Sequence, residues 1–257
     1  SHYRGIVHLP IPRSIAQGPV KPLALDVVVD CSGSMSGAAA EQARCALSVL
    51  GGELSEHDDL RVFFAGSKPH AALGKPHACT AAFLRRDFGA VINAVNADRG
   101  QQHIALALAK AAESQTKPRD VLLVTNGAPS EIAQCLRRVR QSRQRIFVIG
   151  LGHAPNAEFC CALAKASAGQ AAFAAPSESI AAPLHSLLAR MRADPLELHA
   201  AAPAGVVASK SFSQGIFAGD VLTLYFKFSK IPNQIASVEL CDGKQIFVIK
   251  SMRWKMV

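Results

Sequence analysis

Between residues 22 and 193, short apolar strands alternate with longer amphipathic helices, and this alternation restricts the fold more than any other feature of the sequence. The run Leu23–Asp30 (LALDVVVD) predicts the first buried strand, because its β-branched residues follow one another without a polar face. The other predicted strands are Leu60–Ala65, Asp120–Thr125, Arg145–Leu151 and a short one near Ala171–Ala174. The predicted helices are Ala38–Leu50, Phe83–Val95, His103–Ala112, Ser130–Gln141, Ala157–Ala166 and Ser179–Met191. Such alternation predicts an α/β domain, a doubly wound and mostly parallel six-stranded sheet with helices on both faces.

The pattern of apolar residues changes after Asp194-Pro195, because the helical period does not continue beyond that point. Strand-like segments follow, separated by Gly, Pro and Asn turns: Leu196–Ala201, Val221–Phe228, Ala236–Leu240 and Gln245–Lys250. About 60 residues make a thin sandwich on their own, so we expect the strand-like piece Tyr3–Leu9 to join them. The sequence therefore predicts an N-terminal strand within 1–21, the α/β domain over 22–193, and the remaining strands of a smaller antiparallel β-sandwich over 194–257.

Composition sets the class of protein and its compartment. The chain is 49% hydrophobic and 18% charged, as in soluble globular proteins. No apolar run reaches the ~18–20 residues of a membrane span, and no signal-peptide pattern opens the sequence. The seven cysteines are scattered, odd in number and without a C-x-x-C pair, which favours free thiols in a reducing compartment. We expect a cytoplasmic protein; a secretion segment upstream would change that expectation to an extracellular one.

The segment DCSGSMSG (30–37) lies where the first buried strand ends and a helix begins, at the edge where open parallel sheets bind ligands. Asp30, Ser32 and Ser34 alternate in a turn, so their oxygens can converge on one point. One carboxylate with two hydroxyls suits Mg²⁺, Mn²⁺ or Ca²⁺, with water or a partner's carboxylate completing the shell. The alternative is a capping turn with Ser36 as the N-cap of the helix.

These residues resemble the D-x-S-G-S-M-S-G signature of von Willebrand factor A domains, and further resemblances follow in the family's order. They are DRGQQHIAL (98–106), VLLVTNGAP (121–129) and RIFVIGLGHAPNAEFCCALA (145–164). The resemblance implies a Rossmann-like fold and a non-enzymatic module for protein–protein interaction or adhesion. It also implies a metal-ion-dependent adhesion site with Asp30, Ser32 and Ser34 as ligands. A partner's acidic side chain would bind the metal, with loop contacts from Met35, Ser36, His103 and Gly127.

Two positions depart from the family pattern. Gln102 stands where the family has a metal-site Thr, and Asn126 stands where it has an Asp. By resemblance, Gln102 is a possible ligand and Asn126 a water-mediated one. Both keep an oxygen, but the site loses one of two carboxylates and hence part of its attraction for a dication. A degenerate, weak site is therefore expected, and a scaffold with a dead metal site is the alternative.

Within the family, the phrase FAGDVLTLY (217–225) resembles a β segment of the inter-α-trypsin-inhibitor heavy-chain and vault-type branch. With it, the resemblance covers nearly the whole chain.

Other functions have weaker support in the sequence. Gly150-Leu151-Gly152 lacks the third glycine of a dinucleotide site, and Met35 stands at the nucleophile position of a G-x-S-x-G pattern. The net charge of +9 includes an arginine-rich run on a predicted helix and its following turn: Arg137, Arg138, Arg140, Arg143 and Arg145. Nucleic-acid binding through this run is the alternative function, although no aromatic residues interleave with the arginines.

Overall fold

The computed structural model describes residues 3–12, 21–97, 100–101, 103–113, 117–127, 131–193, 206–211, 217–228, 238–241 and 246–249. The chain divides into two units. The larger is Val20–Arg192; the smaller combines Ser1–Pro19 with Ala193–Val257.

A six-stranded sheet forms the centre of the larger unit. Its strands are β2 (Ala24–Asp30), β3 (Asp59–Ala65), β4 (His70–Ala78), β5 (Asp120–Thr125), β6 (Ile146–Leu151) and β7 (Ala171–Ala174). They are ordered β4-β3-β2-β5-β6-β7, and every neighbouring pair is parallel except β3 with β4. The order reverses on either side of β2, which places the carboxyl end of that strand at a switch point. The mostly parallel α/β sheet that the sequence predicts is confirmed.

The helices cover this sheet. Their bounds are α1 (Ala38–Glu53), α2 (Ala81–Phe83), α3 (Gly89–Asn93), α4 (Ile104–Ala112), α5 (Ile132–Gln141), α6 (Ala157–Ala166) and α7 (Ala181–Met191), with a π-helical turn (Leu84–Phe88) joining α2 to α3. Helices α4, α5 and α6 pack side by side over alternate strand residues such as Val28, Leu123 and Val148. Helix α1 contacts α7 and β6 through an apolar stripe that includes Ala43 and Leu47. Both helix layers follow from the period of apolar residues along each helix.

The edge strand β4 was not predicted, although a six-stranded sheet was. Its sequence HAALGKPHA contains Gly74 and Pro76 and has no buried residue. Proline cannot donate a ladder hydrogen bond, so a strand that contains it is tolerated at a sheet edge. The pairing with β3 is also irregular between Leu60 and Phe63. Because of these features, a search of the sequence for apolar runs does not find this strand.

The smaller unit contains β1 (Tyr3–Pro10), β8 (Val206–Ser211), β9 (Val221–Phe228), β10 (Val238–Cys241) and β11 (Ile246–Ile249). Strand β1 pairs antiparallel with β9, from Tyr3 opposite Phe228 to Pro10 opposite Val221, and β8 lies on the other side of β9. Strands β10 and β11 form a separate antiparallel pair. Strand β8 was not predicted from the sequence. The predicted strand Leu196–Ala201 lies outside the described residues. The arrangement of these strands as a β-sandwich stays a prediction.

The turn before β9 ties the N-terminal segment to this unit. The backbone N–H of Ile11 donates to the carbonyl of Asp220, and the N–H of Gly219 donates back to the carbonyl of Ile11. The carboxylate of Asp220 accepts from the N–H of Phe217 at 2.9 Å, and both Phe217 and Leu222 are buried. The phrase at 217–225 therefore forms a turn and a strand that hold residue 11.

Among the helices that the structure describes, none has both the length and the apolarity needed to cross a bilayer.

Candidate functional site

The adjacency of β2 and β5 brings Asp30 beside Thr125 at the carboxyl ends of both strands. Asp30 is 1% exposed, and one carboxylate oxygen accepts from both the backbone N–H (3.0 Å) and the hydroxyl (2.7 Å) of Ser32. Its other oxygen accepts from the hydroxyl of Thr125 at 2.7 Å. Three donors thus fix the Asp30 carboxylate at the top of the sheet.

A chain of polar side chains leads from Asp30 to the surface. The hydroxyls of Ser32 and Ser34 are 3.0 Å apart, and the hydroxyl of Ser34 lies 3.5 Å from the amide oxygen of Asn126. The amide nitrogen of Asn126 donates to the carbonyl of Ser34 at 2.8 Å. Ser32 is buried, Asn126 is half-buried and Ser34 is exposed. We call the group of Asp30, Ser32, Ser34, Thr125 and Asn126 the β2–β5 site.

The loops around this site are held by backbone contacts. The N–H of Cys31 donates to the carbonyl of Ala65 at the end of β3, and the N–H of Gly33 donates to the carbonyl of Gly100. The hydroxyl of Thr125 also accepts from the N–H of Gly127 at 2.9 Å. Side chains that meet at the site are therefore positioned by three different loops above the sheet.

The chemistry of the donor set fits a hard divalent cation. Asp30, Ser32, Ser34 and Asn126 offer a carboxylate, two hydroxyls and an amide oxygen, and such cations prefer oxygen ligands. Within the described ranges, no three His, Cys, Asp or Glu side chains form a metal-binding group. The set therefore suits Mg²⁺, Mn²⁺ or Ca²⁺ rather than a metal that needs several charged or sulfur ligands.

The other residues predicted for the site differ in their positions and contacts. Gln102 lies outside the described residues. Ser36 is exposed, but the N-cap of α1 is Gly37 rather than Ser36. His103 is half-buried, and its Nδ1 lies 3.1 Å from a carboxylate oxygen of Glu131. This pair joins the residue before α4 to the residue before α5.

Two of the residues predicted to contact a partner, Met35 and Gly127, are buried. Met35 is 1% exposed, since the 3-10 turn Gly33–Met35 directs its side chain inward. Gly127 is buried with φ 75°, and a Cβ there would lie 2.9 Å from the Sγ of Cys160. Gly127 therefore shapes the loop that carries Asn126, and its contact with a partner stays a prediction.

Sequence reasoning missed Thr125 as part of the site. It was read only as the last residue of a strand, and its role depends on β5 lying next to β2. A hydroxyl residue at the end of an otherwise apolar buried run is the signal that could have pointed to it, because a buried hydroxyl needs a hydrogen-bond partner.

A second polar cluster, also missed, lies near the amino end of β2. Asp26 is fully buried and accepts hydrogen bonds from Arg61 (2.8 and 2.6 Å), Arg119 (2.7 Å) and Gln144 (3.2 Å). Arg61 also donates to the carbonyl of Ala111 at 2.6 Å. These partners come from three other segments of the unit, so the cluster joins the start of β2 to β3, β5 and β6.

Another buried carboxylate lies at the same end of the sheet. Burial by itself would raise the pKa of Asp58, but the Arg192 guanidinium and the backbone N–H groups of Leu23 and Ser55 donate to it. Together these donors lower its pKa to about 2. Asp58 therefore remains ionised in the folded protein across the physiological range.

With this geometry established, comparisons with known proteins identify the family. The sequence profile of the von Willebrand factor type A domain matches residues 23–173, more than half of the chain. The chain belongs to the von Willebrand factor type A domain family. A von Willebrand factor A domain-containing protein of Dictyostelium discoideum is 26% identical over 147 residues, which are 55% of this chain and 16% of that protein. The chain thus covers only a small part of this relative.

Solved structures share the fold. A von Willebrand factor type A structure from Catenulispora acidiphila superposes with a TM-score of 0.62 at 15% identity, covering 96% of this chain and 72% of that chain. The manganese-loaded TRAP protein of Plasmodium vivax gives a TM-score of 0.53 at 16% identity, with coverage of 82% and 90%. At these identities the likeness is one of fold. Domains of this family generally bind protein partners and are generally non-enzymatic.

Proposed function

We propose that this chain is a non-enzymatic protein-interaction or adhesion module that binds its partner through a divalent cation at the β2–β5 site. The convergence of the Asp30 carboxylate, the Ser32 and Ser34 hydroxyls and the Asn126 amide oxygen at one sheet edge carries this proposal. The cation would attract an acidic side chain of the partner. Ser36 and His103 would contact the partner around it.

The electrostatics of the site support weak metal binding. Asp30 is the carboxylate among the four proposed ligands, and Asn126 contributes a neutral oxygen. A second carboxylate at position 126 would strengthen the attraction for a dication by several kcal/mol before desolvation and screening, with a net gain of roughly 1–3 kcal/mol. Metal affinity should therefore be about ten- to a hundredfold below that of a site with two carboxylates.

Calorimetric titration with Mg²⁺ and Mn²⁺ tests the proposal. We expect Asn126→Asp to raise affinity about ten- to a hundredfold, and Asp30→Ala to abolish binding. The matched control is Asn93→Asp, which adds the same charge at an exposed position of α3. Micromolar Mg²⁺ binding by the unchanged chain, or an equal gain in both Asp variants, would contradict the proposed role of position 126.

The same substitution has an effect on stability that the contacts define. Asn126→Asp replaces an amide that donates to the carbonyl of Ser34 with a carboxylate that repels it. We therefore expect the variant to melt below the unchanged chain in EDTA and to gain more from added Mn²⁺. This pattern distinguishes a metal ligand from a residue that only closes the loop.

Two finer proposals concern the chain's relatives and its compartment. We propose a place in the inter-α-trypsin-inhibitor heavy-chain and vault-type branch, supported by the turn and strand at 217–225 that hold residue 11. We also propose a reducing, cytoplasmic setting. In its support, Cys79, Cys135 and Cys160 are buried, and burial raises the pKa of each thiol to about 12. Thiol titration of the unfolded, unreduced protein should find all seven cysteines free.

A further inference from the structure

An open groove lies between α4 and α5, at the opposite end of the sheet from Asp30. It has a volume of about 300 Å³, and Leu108, Val139 and Ile146 are buried at its base. Ala112 of α4 and Arg138 of α5 are exposed along it. A second hollow of about 340 Å³ runs along α5 and shares Arg138 and Gln141 with the first. The two hollows therefore form one surface, which we call the α4–α5 groove.

Three charged side chains line the two hollows: Arg137 and Arg138 of α5, and Glu113 after the end of α4, so that arginines outnumber the carboxylate there. Exposed arginines follow one another on α5 and the turn after it: Arg137, Arg138, Arg140 and Arg143. Six other arginines of this unit each contact a carboxylate: Arg44, Arg61, Arg86, Arg119, Arg145 and Arg192. Within the part of the chain that the structure describes, the four arginines of the α5 region have no side-chain ion pair or hydrogen bond. Their charge is thus available to a ligand.

One arginine of the run predicted from the sequence, Arg145, does not belong to this exposed set. Arg145 was counted with the run, but its guanidinium binds the carboxylate of Asp120 through two nitrogens and donates to the carbonyl of Met191. It belongs to the packing between β5, β6 and α7. Of the remaining four arginines, Arg138 lines both hollows and Arg137 lines the second one.

We propose that the α4–α5 groove binds an acidic amphipathic helix of a partner protein. Apolar side chains of that helix would cover Ala109 and Ala112, above the buried Leu108 and Val139, and its carboxylates would pair with the arginines. An apolar centre bordered by arginines is typical of protein interfaces, and an amphipathic helix in a groove is a recurring mode of recognition. Guanidinium groups bind carboxylates through two parallel hydrogen bonds.

The groove favours this occupant over nucleic acid. Ala109 and Ala112 provide aliphatic surface, and no aromatic ring is among the described residues that line either hollow. Single-stranded nucleic acids bind by stacking bases on aromatic rings along a basic track. Position also matters: Gln144 and Ile146 place the groove at the amino end of β6, whereas Asp30 ends β2. Both surfaces can therefore be occupied at once.

Fluorescence anisotropy with a defined probe tests the proposal in EDTA, where the β2–β5 site makes no contribution. The probe is a labelled peptide of about four helical turns with Leu on one face and Glu on the other. A peptide of the same composition, scrambled so that neither face forms, is the reference. We expect the amphipathic peptide to bind at least about tenfold more tightly than the scrambled one.

Variants locate the binding. Arg137→Glu with Arg138→Glu reverses two charges beside the groove, and Ala112→Trp fills the groove without changing charge. Each should weaken binding at least about tenfold. Arg85→Glu, at an exposed position of the π-helical turn, is the matched control and should change it less than about threefold. Circular dichroism and thermal melting confirm that each variant is folded.

Several results would overturn the proposal. Equal binding of the two peptides, no binding of either, or an equal loss in Arg85→Glu would show that the groove does not recognise an acidic helix. Tighter, salt-sensitive binding of a single-stranded oligonucleotide, lost with Arg137→Glu and Arg138→Glu, would assign the arginines to nucleic acid instead.

Discussion

Strand β2 carries a buried aspartate near each end, and the two are held in different ways. Asp26, near the amino end, contacts the guanidinium groups of Arg61 and Arg119 and the amide of Gln144. Asp30, at the carboxyl end, accepts from the hydroxyls of Ser32 and Thr125. The same residue type, on one strand and equally buried, therefore has charged donors at one end and hydroxyl donors at the other.

The chemistry of the donors decides what each carboxylate can do. A guanidinium group has donors but no lone pair to offer a metal, so the Asp26 cluster can only hold segments together. A hydroxyl can turn from donating a hydrogen bond to offering its oxygen to a cation. Asp30 with Ser32 and Ser34 can therefore change partners, and Asp26 with its arginines cannot. The sheet thus has a structural end at Asp26 and, at Asp30, the end where we propose that binding takes place, called the binding end below.

The largest effect should come from breaking the structural end. Asp26→Asn leaves the buried Arg61 without its carboxylate and leaves Arg119 with the carboxylate of Asp59 alone, and should lower the free energy of unfolding by about 3–5 kcal/mol. Asp30→Asn keeps an acceptor for hydroxyl donors and should cost about 1–2 kcal/mol. Urea unfolding followed by circular dichroism measures both, with Asp87→Asn in a solvent-accessible ion pair as the control that should change stability least. Equal losses of unfolding free energy in Asp26→Asn and Asp30→Asn would contradict the difference between the two ends of β2.

A backbone change at the binding end should have the next largest effect. Gly127→Ala introduces a Cβ at φ 75° and within 3.0 Å of the Asn156 carbonyl oxygen, which should cost about 2–3 kcal/mol. Because the loop also carries Asn126, metal affinity should fall with it. Gly52→Ala, in α1 with open space around the new Cβ, should instead gain about 0.5–1 kcal/mol. Thermal melting compares the two; a neutral Gly127→Ala would show that this loop adapts.

The sequence predicted the framework well because the apolar runs of β2, β3, β5 and β6 are buried on both faces and helices alternate with them. It also brought together Asp30, Ser32 and Ser34, which lie within one turn.

Contacts between distant segments could not be predicted from the sequence. Asp26 contacts Arg119 and Gln144 because the strand order β2-β5-β6 brings them together. An aspartate inside an apolar run indicates that the carboxylate has a buried partner, but the sequence does not identify that partner. The burial of Met35 could not be predicted for a related reason. The motif fixes the order of residues in the turn, whereas the packing of the 3-10 turn decides which side chain is buried.

The smallest effect on stability concerns pH at the structural end. The pKa of Asp58 is about 2 in the folded protein, below its ordinary value of 3.8. Its stabilisation is therefore present above about pH 4 and is lost as the pH falls from about 4 through about 2. Asp58→Asn should cost on the order of 1–2 kcal/mol near neutral pH, and this difference should disappear near pH 2. Urea unfolding across this range measures it; a constant difference would mean that Asp58 does not titrate in that window.

The most direct test of the two-ended sheet is the number of Mn²⁺ ions bound, measured by the loss of the free-ion signal in electron paramagnetic resonance. The unchanged chain should bind a single weak Mn²⁺, Asn126→Asp should bind it more tightly, and Asp30→Ala should bind none at the same concentrations. The structural carboxylate gives the matched comparison, because Asp58→Asn should leave Mn²⁺ binding unchanged. Mn²⁺ binding that survives Asp30→Ala, or that falls equally in Asp58→Asn, would contradict the assignment of the cation to the carboxyl end of β2.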